Sequence, residues 1–186
     1  MNETSNPTYT LGQPLSSDFT LAKGEAEGRV GVIMGSQSDW PFMQPCTDML
    51  EKLQIPFEFG VVSAHRTPQR MMKYAHAAAH RGIKVIIACA GGSAHLPGMV
   101  ASETLLPTLG VAPKKTDEHA VGSMIAMPAG KPLAYMGGGS GPGKNAGAEN
   151  AALMAASILA LEDSEVRKRL QSYHDNMRDS VPFTCF

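Results

Sequence analysis

No apolar run in this chain approaches the roughly 20 residues that a membrane-spanning helix needs, so no membrane partner is expected. Basic blocks are also missing. The formal net charge is −1, with 16 Lys plus Arg against 17 Asp plus Glu, which argues against a nucleic-acid partner. Cysteine is scarce: Cys46, Cys89 and Cys185 are odd in number, far apart and without metal-ligand spacing. Neither a disulfide framework nor a metal site is expected, and a reducing cytoplasm fits best. Cys89 lies in a buried-strand pattern and reads as a small apolar filler. Residues 1–28 lack the basic-then-apolar layout of a secretory signal. Polar and dotted with Ser, Thr and Gly, they read as a flexible, loosely draped arm.

What is present is an ordinary globular composition, 43% apolar and 18% charged over 186 residues. That length suits one domain burying about 70% of the surface its unfolded chain exposes. After the arm, apolar runs alternate with helical stretches, which predicts βα units around a parallel sheet. Candidate strands are Arg29–Met34, Phe57–Val62, Lys84–Ala90, Leu105–Val111 and Pro132–Met136. Val32-Ile33 and Val85-Ile86-Ile87 are nearly continuous in apolar character, as strands covered on both faces should be.

A first helix is expected after Asp39, with Met43, Cys46, Leu50 and Leu53 facing the sheet. Pro45 lacks an amide donor and should kink it or push its regular part downstream. A second helix is predicted over Pro68–Arg81, stopped by Gly82, and a third over Gly98–Leu106. Gly137–Gly147 reads as a flexible loop. Ala148–Leu161 is alanine-rich and apolar on almost every face, so one face should meet another subunit. Asp163 should cap a last helix striped with Val166, Leu170, Tyr173 and Met177. The catalytic body is placed at 29–162, with the helix and tail of 163–186 packing on it or on a neighbouring subunit.

Three polar loops follow apolar runs and carry the chemistry. Loops at the carboxyl ends of adjacent parallel strands converge on one crevice. In Met34-Gly35-Ser36-Gln37-Ser38-Asp39, Ser36 and Ser38 offer hydroxyls beside free amides at a helix start, a cradle for phosphate. Asp39 can accept from ribose hydroxyls; Ser38 and Asp39 can equally serve as helix caps. In Ser63-Ala64-His65-Arg66-Thr67-Pro68, Arg66 supplies a fork for phosphate or carboxylate. His65 is a candidate for proton transfer near neutrality. In Ala90-Gly91-Gly92-Ser93-Ala94-His95-Leu96, paired glycines leave room for a flat ligand or a molecule the size of carbon dioxide. His95 is a second acid/base or an orienting donor. His76 and His80 stand four apart on the second helix without a third ligand, and read as a solvated face. His119 and His174 have no motif around them. Lys144 with the glycines near it lacks the P-loop pattern and reads as plain loop.

With GSxSDW, SAHRTP and AGGxAHLPGM in order over about residues 29–181, the chain resembles the PurE family of purine biosynthesis. It is most similar to the family's N5-carboxyaminoimidazole ribonucleotide mutase branch. The resemblance implies a three-layer, flavodoxin-like α/β fold: an open parallel sheet with helices on both faces. It implies a cytoplasmic homo-octamer acting on a small-molecule nucleotide without ATP, metal or organic cofactor. By position, Ser36, Ser38 and Asp39 would hold the ribose phosphate, with Ser63 and Arg66 completing that pocket. His65 would move the proton, with His95 as second histidine. Gly91, Gly92, Ser93 and Ala94 would confine carbon dioxide, and Leu96 would also line the substrate site. The implied reaction moves a carboxylate from the exocyclic nitrogen to ring carbon C4. The alternatives are direct carboxylation of aminoimidazole ribonucleotide by free carbon dioxide, or a diverged nucleotide-binding paralogue. The chain departs from the family pattern at Pro45, at Ser93, over Ala112–His119 and over Gly137–Gly147.

Overall fold

The structure, a computed structural model, describes residues 12–14, 29–114 and 118–183. The rest of the expected N-terminal arm, residues 115–117 and Cys185 lie outside the described residues.

Strands β1 (Gly12–Pro14), β2 (Val30–Met34), β3 (Phe57–Val61), β4 (Val85–Cys89), β5 (Thr108–Lys114) and β6 (Ala134–Gly139) form one parallel sheet ordered β1-β3-β2-β4-β5-β6. Without the short β1, this is the flavodoxin-like arrangement the sequence implied. Helices α1 (Trp40–Lys52), α2 (Pro68–Ala78), α3 (His95–Glu103), α4 (Glu118–Ile125), α5 (Ala146–Leu159) and α6 (Ser164–Asp179) cover it. Every residue of β2 and β4 is buried, as strands between two helical layers require. Alternation along the strands sends Val32, Met34, Val85 and Ile87 to the side of α1, α5 and α6. Ile33, Ile86 and Ala88 turn to the side of α2, α3 and α4.

The sheet register positions the site. Met34, at the end of β2, pairs with Val61 of β3 and Cys89 of β4, so three strands finish level. The ladder then runs one step further, through Val62 N–H to Met34 carbonyl at 2.9 Å and Gly35 N–H to Cys89 carbonyl at 3.0 Å. The three loops therefore leave the sheet side by side.

Several expectations are corrected. Pro45 does not push the regular part of α1 downstream, since the helix runs through it from Trp40. The Pro41 carbonyl that Pro45 cannot satisfy accepts instead from the Gly143 amide at 2.7 Å. The third helix starts at His95, not Gly98, and ends at Glu103, not Leu106. Ala94, in the left-handed region at φ 41°, turns the chain into it. Pro97 is tolerated in the first turn, where its amide would have no partner. The fourth expected strand, Leu105–Val111, is displaced to Thr108–Lys114, and Leu105 is fully exposed. Register shifts where β5 meets β6 accommodate Pro113. Within Gly137–Gly147, β6 continues to Gly139 and α5 begins at Ala146, leaving a shorter loop. Helix α4 was not expected; Gly122 and Ser123 hide its face, on which Ala120 and Met124 are buried.

The second helix ends at Ala78 rather than Arg81, and Gly82, at φ 100°, closes the turn after it. The Asp163 carboxylate accepts from the Glu165 and Val166 amides to cap α6, as expected. Asn145 caps α5, its carbonyl accepting from the Ala148 amide while its own amide donates to the Ala112 carbonyl.

A buried ion pair ties the turn that follows α2 to the sheet. Both terminal guanidinium nitrogens of Arg81, Nη1 and Nη2, donate to the Glu58 carboxylate at 2.6 Å, with the two side chains 2% and 8% exposed. The Tyr74 phenol lies against this pair, and burial followed by the Glu58 charge pushes its ionisation well upward. Gly31 makes the room: a Cβ there would sit 2.0 Å from the Tyr74 hydroxyl oxygen. Gly31→Ala is expected to cost roughly 1–3 kcal/mol by overpacking. Most of that loss should disappear in a Tyr74→Phe background. Urea unfolding of the four proteins checks it, and additive effects would contradict the packing described.

Candidate active site

Each loop is held by its own local chemistry before it meets the others. After β2 the chain enters a short 3-10 turn, Gln37–Asp39, closed by a reciprocal capping box. The Ser36 hydroxyl accepts from the Ser38 amide at 3.3 Å, and the Asp39 carboxylate accepts from the Ser36 amide at 3.0 Å. The Ser38 hydroxyl donates to Ser36 Oγ at 2.9 Å. Capping and ligand presentation thus use the same side chains.

After β3, Thr67 knots the second loop. Its hydroxyl donates to the Ser63 carbonyl at 2.9 Å and accepts from the Ser63 amide at 3.1 Å. The Ser63 hydroxyl accepts from the Arg66 amide at 3.3 Å. This turn leaves His65 and Arg66 at its tip, both exposed. An Arg66 guanidinium nitrogen lies 3.4 Å from the Gly35 carbonyl, bridging the first and second loops.

The third loop passes through Gly92, at φ 61°, and left-handed Ala94 to place His95 as the first residue of α3. His95 Nδ1 lies 2.8 Å from His65 Nε2, with the rings perpendicular at 89°. Only one hydrogen fits between those two nitrogens. Counting hydrogens, the pair carries at most one positive charge while the contact lasts.

The loops enclose a cavity of about 440 Å³. Ser36, Asp39, Ser63, His65, Arg66, Gly91, Ser93, Ala94, His95 and Leu96 line it, all expected from the sequence. Ser38 and Gly92 were expected too but are not in the wall: Ser38 supports Ser36, and Gly92 shapes the turn. Gly35, part of the first loop as read from the sequence, lines the cavity too. Ala64 and Ala90 were not singled out, yet they also line it; their position beside the ends of β3 and β4 was the available signal. His76 and His80 are exposed, as expected of a solvated face, and His76 also meets Glu103 at 2.7 Å, tying α2 to α3. Among the described residues, no group of His, Cys, Asp and Glu is arranged to hold a metal ion.

Beneath the cavity, Cys46 and Cys89 are buried and burial pushes both thiols upward, so they serve as packing. A separate hollow of about 580 Å³ lies between the end of α1 and α6, lined by Lys52, Lys168 and Arg169 among others. It is larger but holds none of the converging loops. The titratable chemistry is concentrated in the smaller cavity.

The sequence model of the AIR carboxylase family matches residues 29–180. The N5-carboxyaminoimidazole ribonucleotide mutase of Pseudomonas aeruginosa is 48% identical over 155 residues, covering 82% of this chain and 92% of that protein. The mutase of Bacillus subtilis is 46% identical, covering 82% and 93%. Among solved structures, Treponema denticola PurE matches with a TM-score of 0.70 at 27% identity, covering 81% of this chain and 91% of that one.

Burial holds the Asp39 carboxyl above its usual range, outweighing the Ser36 amide and the Arg66 charge, which act the other way. A carboxyl raised in the folded state costs stability once ionised. Folding is therefore favoured as pH falls through the raised value and weakened as pH rises past it. Asp39→Asn keeps an acceptor for the Ser36 amide and removes the charge. The variant should unfold at higher urea than the parent near pH 7. The difference should vanish near pH 3, below the ~3.9 of an unfolded aspartate. Equal midpoints at both pH values would contradict this account.

Proposed function

The chain belongs to the AIR carboxylase family, and we propose that it is an N5-carboxyaminoimidazole ribonucleotide mutase of purine biosynthesis. The observation that carries this reading is one cavity in which an amide-and-hydroxyl cradle, an arginine and a contacting histidine pair face each other. A phosphorylated heterocycle that must lose and regain a proton needs those three elements together.

In this reading the 5′-phosphate lies on the cradle of Ser36 and Ser38, with the guanidinium of Arg66 as its clamp. Asp39 accepts from the ribose hydroxyls. Ser63 holds the Arg66 turn in place. The carbamate on the exocyclic nitrogen releases carbon dioxide as that nitrogen gains a proton. Gly91, Ser93, Ala94 and Leu96, on a loop whose turn Gly92 shapes, form the wall that confines the freed molecule. The electron-rich C4 then attacks it, forming the new C–C bond. His65 removes the C4 proton, and the electron pair of the broken C–H bond restores the aromatic ring. Confinement spares the second step a bimolecular encounter, an effect worth up to about 7–11 kcal/mol in well-oriented models.

The reading also assigns the protein to the cytoplasm as a homo-octamer. Exposed apolar side chains support burial against further copies: Met154 on α5, Leu161 just after it, Ile125 at the end of α4 and Leu105. No helix of the described residues is long and apolar enough to cross a membrane.

A product assay tests the reaction. The purified protein should convert the carbamate nucleotide to its C-carboxylated isomer without added bicarbonate. Product formed only from aminoimidazole ribonucleotide plus bicarbonate would overturn the mutase assignment. His65→Asn should lower kcat by at least about 10²-fold while keeping KM within about tenfold. Near-normal turnover would remove His65 from the proton transfer. Arg66→Ala should chiefly raise KM; a loss confined to kcat would contradict its place on the phosphate.

A further inference from the structure

We propose that Gly12–Pro14 is a detachable cover for the outer edge of β3, and that it keeps a second copy of this chain from pairing there. The match to the AIR carboxylase family covers residues 29–180, so β1 lies outside the matched domain. Counted without β1, β3 is the last strand on its side of the sheet.

Backbone direction along β3 decides what that edge offers. The Pro56 carbonyl accepts from the Val30 amide, and the Val62 amide donates to the Met34 carbonyl. Residues at even positions of β3 therefore turn their backbone groups toward β2, while Phe57, Phe59 and Val61 turn theirs outward. Arg70 marks the outer side, its Nη1 lying 3.5 Å from the Val61 carbonyl. Outward amides and carbonyls on an apolar strand are a template for another strand. The one charge of β3 does not guard them, because Glu58 is 6% exposed and held by Arg81. At the other end of the sheet, β6 is protected by irregularity: its pairing with β5 shifts register, and Gly137 lies at φ 96°. Strand β3 has no such device and pairs with β2 in unshifted register from Phe57 to Val61.

The sequence of β1 suits it to one side only. Gly12, Gln13 and Pro14 lie parallel to β3, opposite Phe57, Glu58 and Phe59. In a parallel pair, a residue's amide and carbonyl reach the neighbours of the residue opposite. The Gln13 amide thus faces the Phe57 carbonyl, and its carbonyl faces the Phe59 amide. Gly12 and Pro14 turn their backbone groups away from β3. Pro14 has no N–H to offer there, so a further strand finds a donor missing. The tripeptide is adhesive inward and blunt outward. Arg70 covers the Val61 carbonyl, which lies beyond the last residue opposite β1. Brevity makes the cover detachable: one bonding residue opens far more readily than the β2–β3 ladder. Once bared, Phe57-Glu58-Phe59-Gly60-Val61 has no proline and a high β propensity. Two such edges related by a two-fold axis meet antiparallel, the self-complementary arrangement that a second copy offers.

Hydrogen exchange and sedimentation of the full-length protein test this. Gln13→Pro puts a ring where the inward amide hydrogen stood. It should speed exchange of the Phe59 amide at least about tenfold. The Val62 amide, bonded to Met34, should exchange as in the parent. The same variant should form species larger than the parent's, growing with protein concentration in sedimentation velocity. Pro14→Ala changes only the outward side and should leave Phe59 protected. Release of Phe59 in both variants, or in neither, would overturn Gln13 as the residue that seals the edge. Release in Gln13→Pro without larger species would overturn a second copy as what the cover excludes. Neither readout depends on turnover, so failure of the mutase reading is seen separately, in the product assay.

Discussion

The level ends of β2, β3 and β4 are the constraint on which everything else depends. Parallel neighbours lie about 4.8 Å apart, and Met34 pairs across to both Val61 and Cys89. Loops leaving such ends are neighbours from their first residue. The chain then diverges: β2 feeds α1 on one face, while β3 and β4 feed α2 and α3 on the other. A crevice opens where the helices part, as at any reversal of strand order in a doubly wound sheet. A one-residue slip in either pairing would turn the loops' side chains toward the wrong layer. The motifs mean little without that register, and the register does not depend on the motifs.

Two departures from the family pattern turn out to be a single feature. Pro45 removes an amide from the middle of α1, which ordinarily costs about 3 kcal/mol. Much of that cost is the orphaned Pro41 carbonyl. The glycine-rich loop after β6 supplies the replacement, because Gly143 at φ 67° brings its amide within 2.7 Å of that oxygen. The loop is braced in turn by Ser140 N–H to Lys144 carbonyl at 3.1 Å. Pro41 lies two residues beyond Asp39, so the loop also steadies the start of the helix that follows the Ser36–Asp39 turn. The Pro45 helix and the Gly137–Gly147 segment suit each other; neither on its own explains the other's presence.

What the sequence reveals and conceals follows from the range of the interactions. Buried parallel strands such as Val85–Cys89 announce themselves by unbroken apolar character, and the site loops by polar residues between such strands. Boundaries set by distant contacts do not. Leu105 and Leu106 have strand-like composition, yet the strand begins at Thr108, where pairing with Ile86 begins. Helix α4 buries only Ala120 and Met124, too narrow a face to stand out. Arg81 and Glu58 look like surface residues because charged types are nearly always exposed. Their burial is visible only when β3, α2 and the gap over Gly31 are brought together. Among the site residues, sequence identified the polar groups and the glycines, while Ala64 and Ala90 were missed because they contribute space and backbone.

The same local geometry explains why an anionic substrate suits this cavity. Three helical starts meet at its rim: the 3-10 turn at Gln37 that leads into α1, α2 at Pro68, and α3 at His95. Each presents the positive end of its peptide dipoles, worth about 0.3–1 kcal/mol apiece for a neighbouring anion at an exposed end. Asp39 offsets part of that field and is itself held there against the cost of burial. A phosphate at the cradle and a carboxylate formed at C4 both gain from what remains. The carboxylate leaves the nitrogen and reappears on carbon inside the same field, so its charge is stabilised at both ends of the transfer. Neutral carbon dioxide feels almost none of it. The field therefore favours either carboxylate over the released molecule, and retention of that molecule falls to the walls alone. In the proposed reading, that division of labour suits a third loop rich in glycine, alanine and serine.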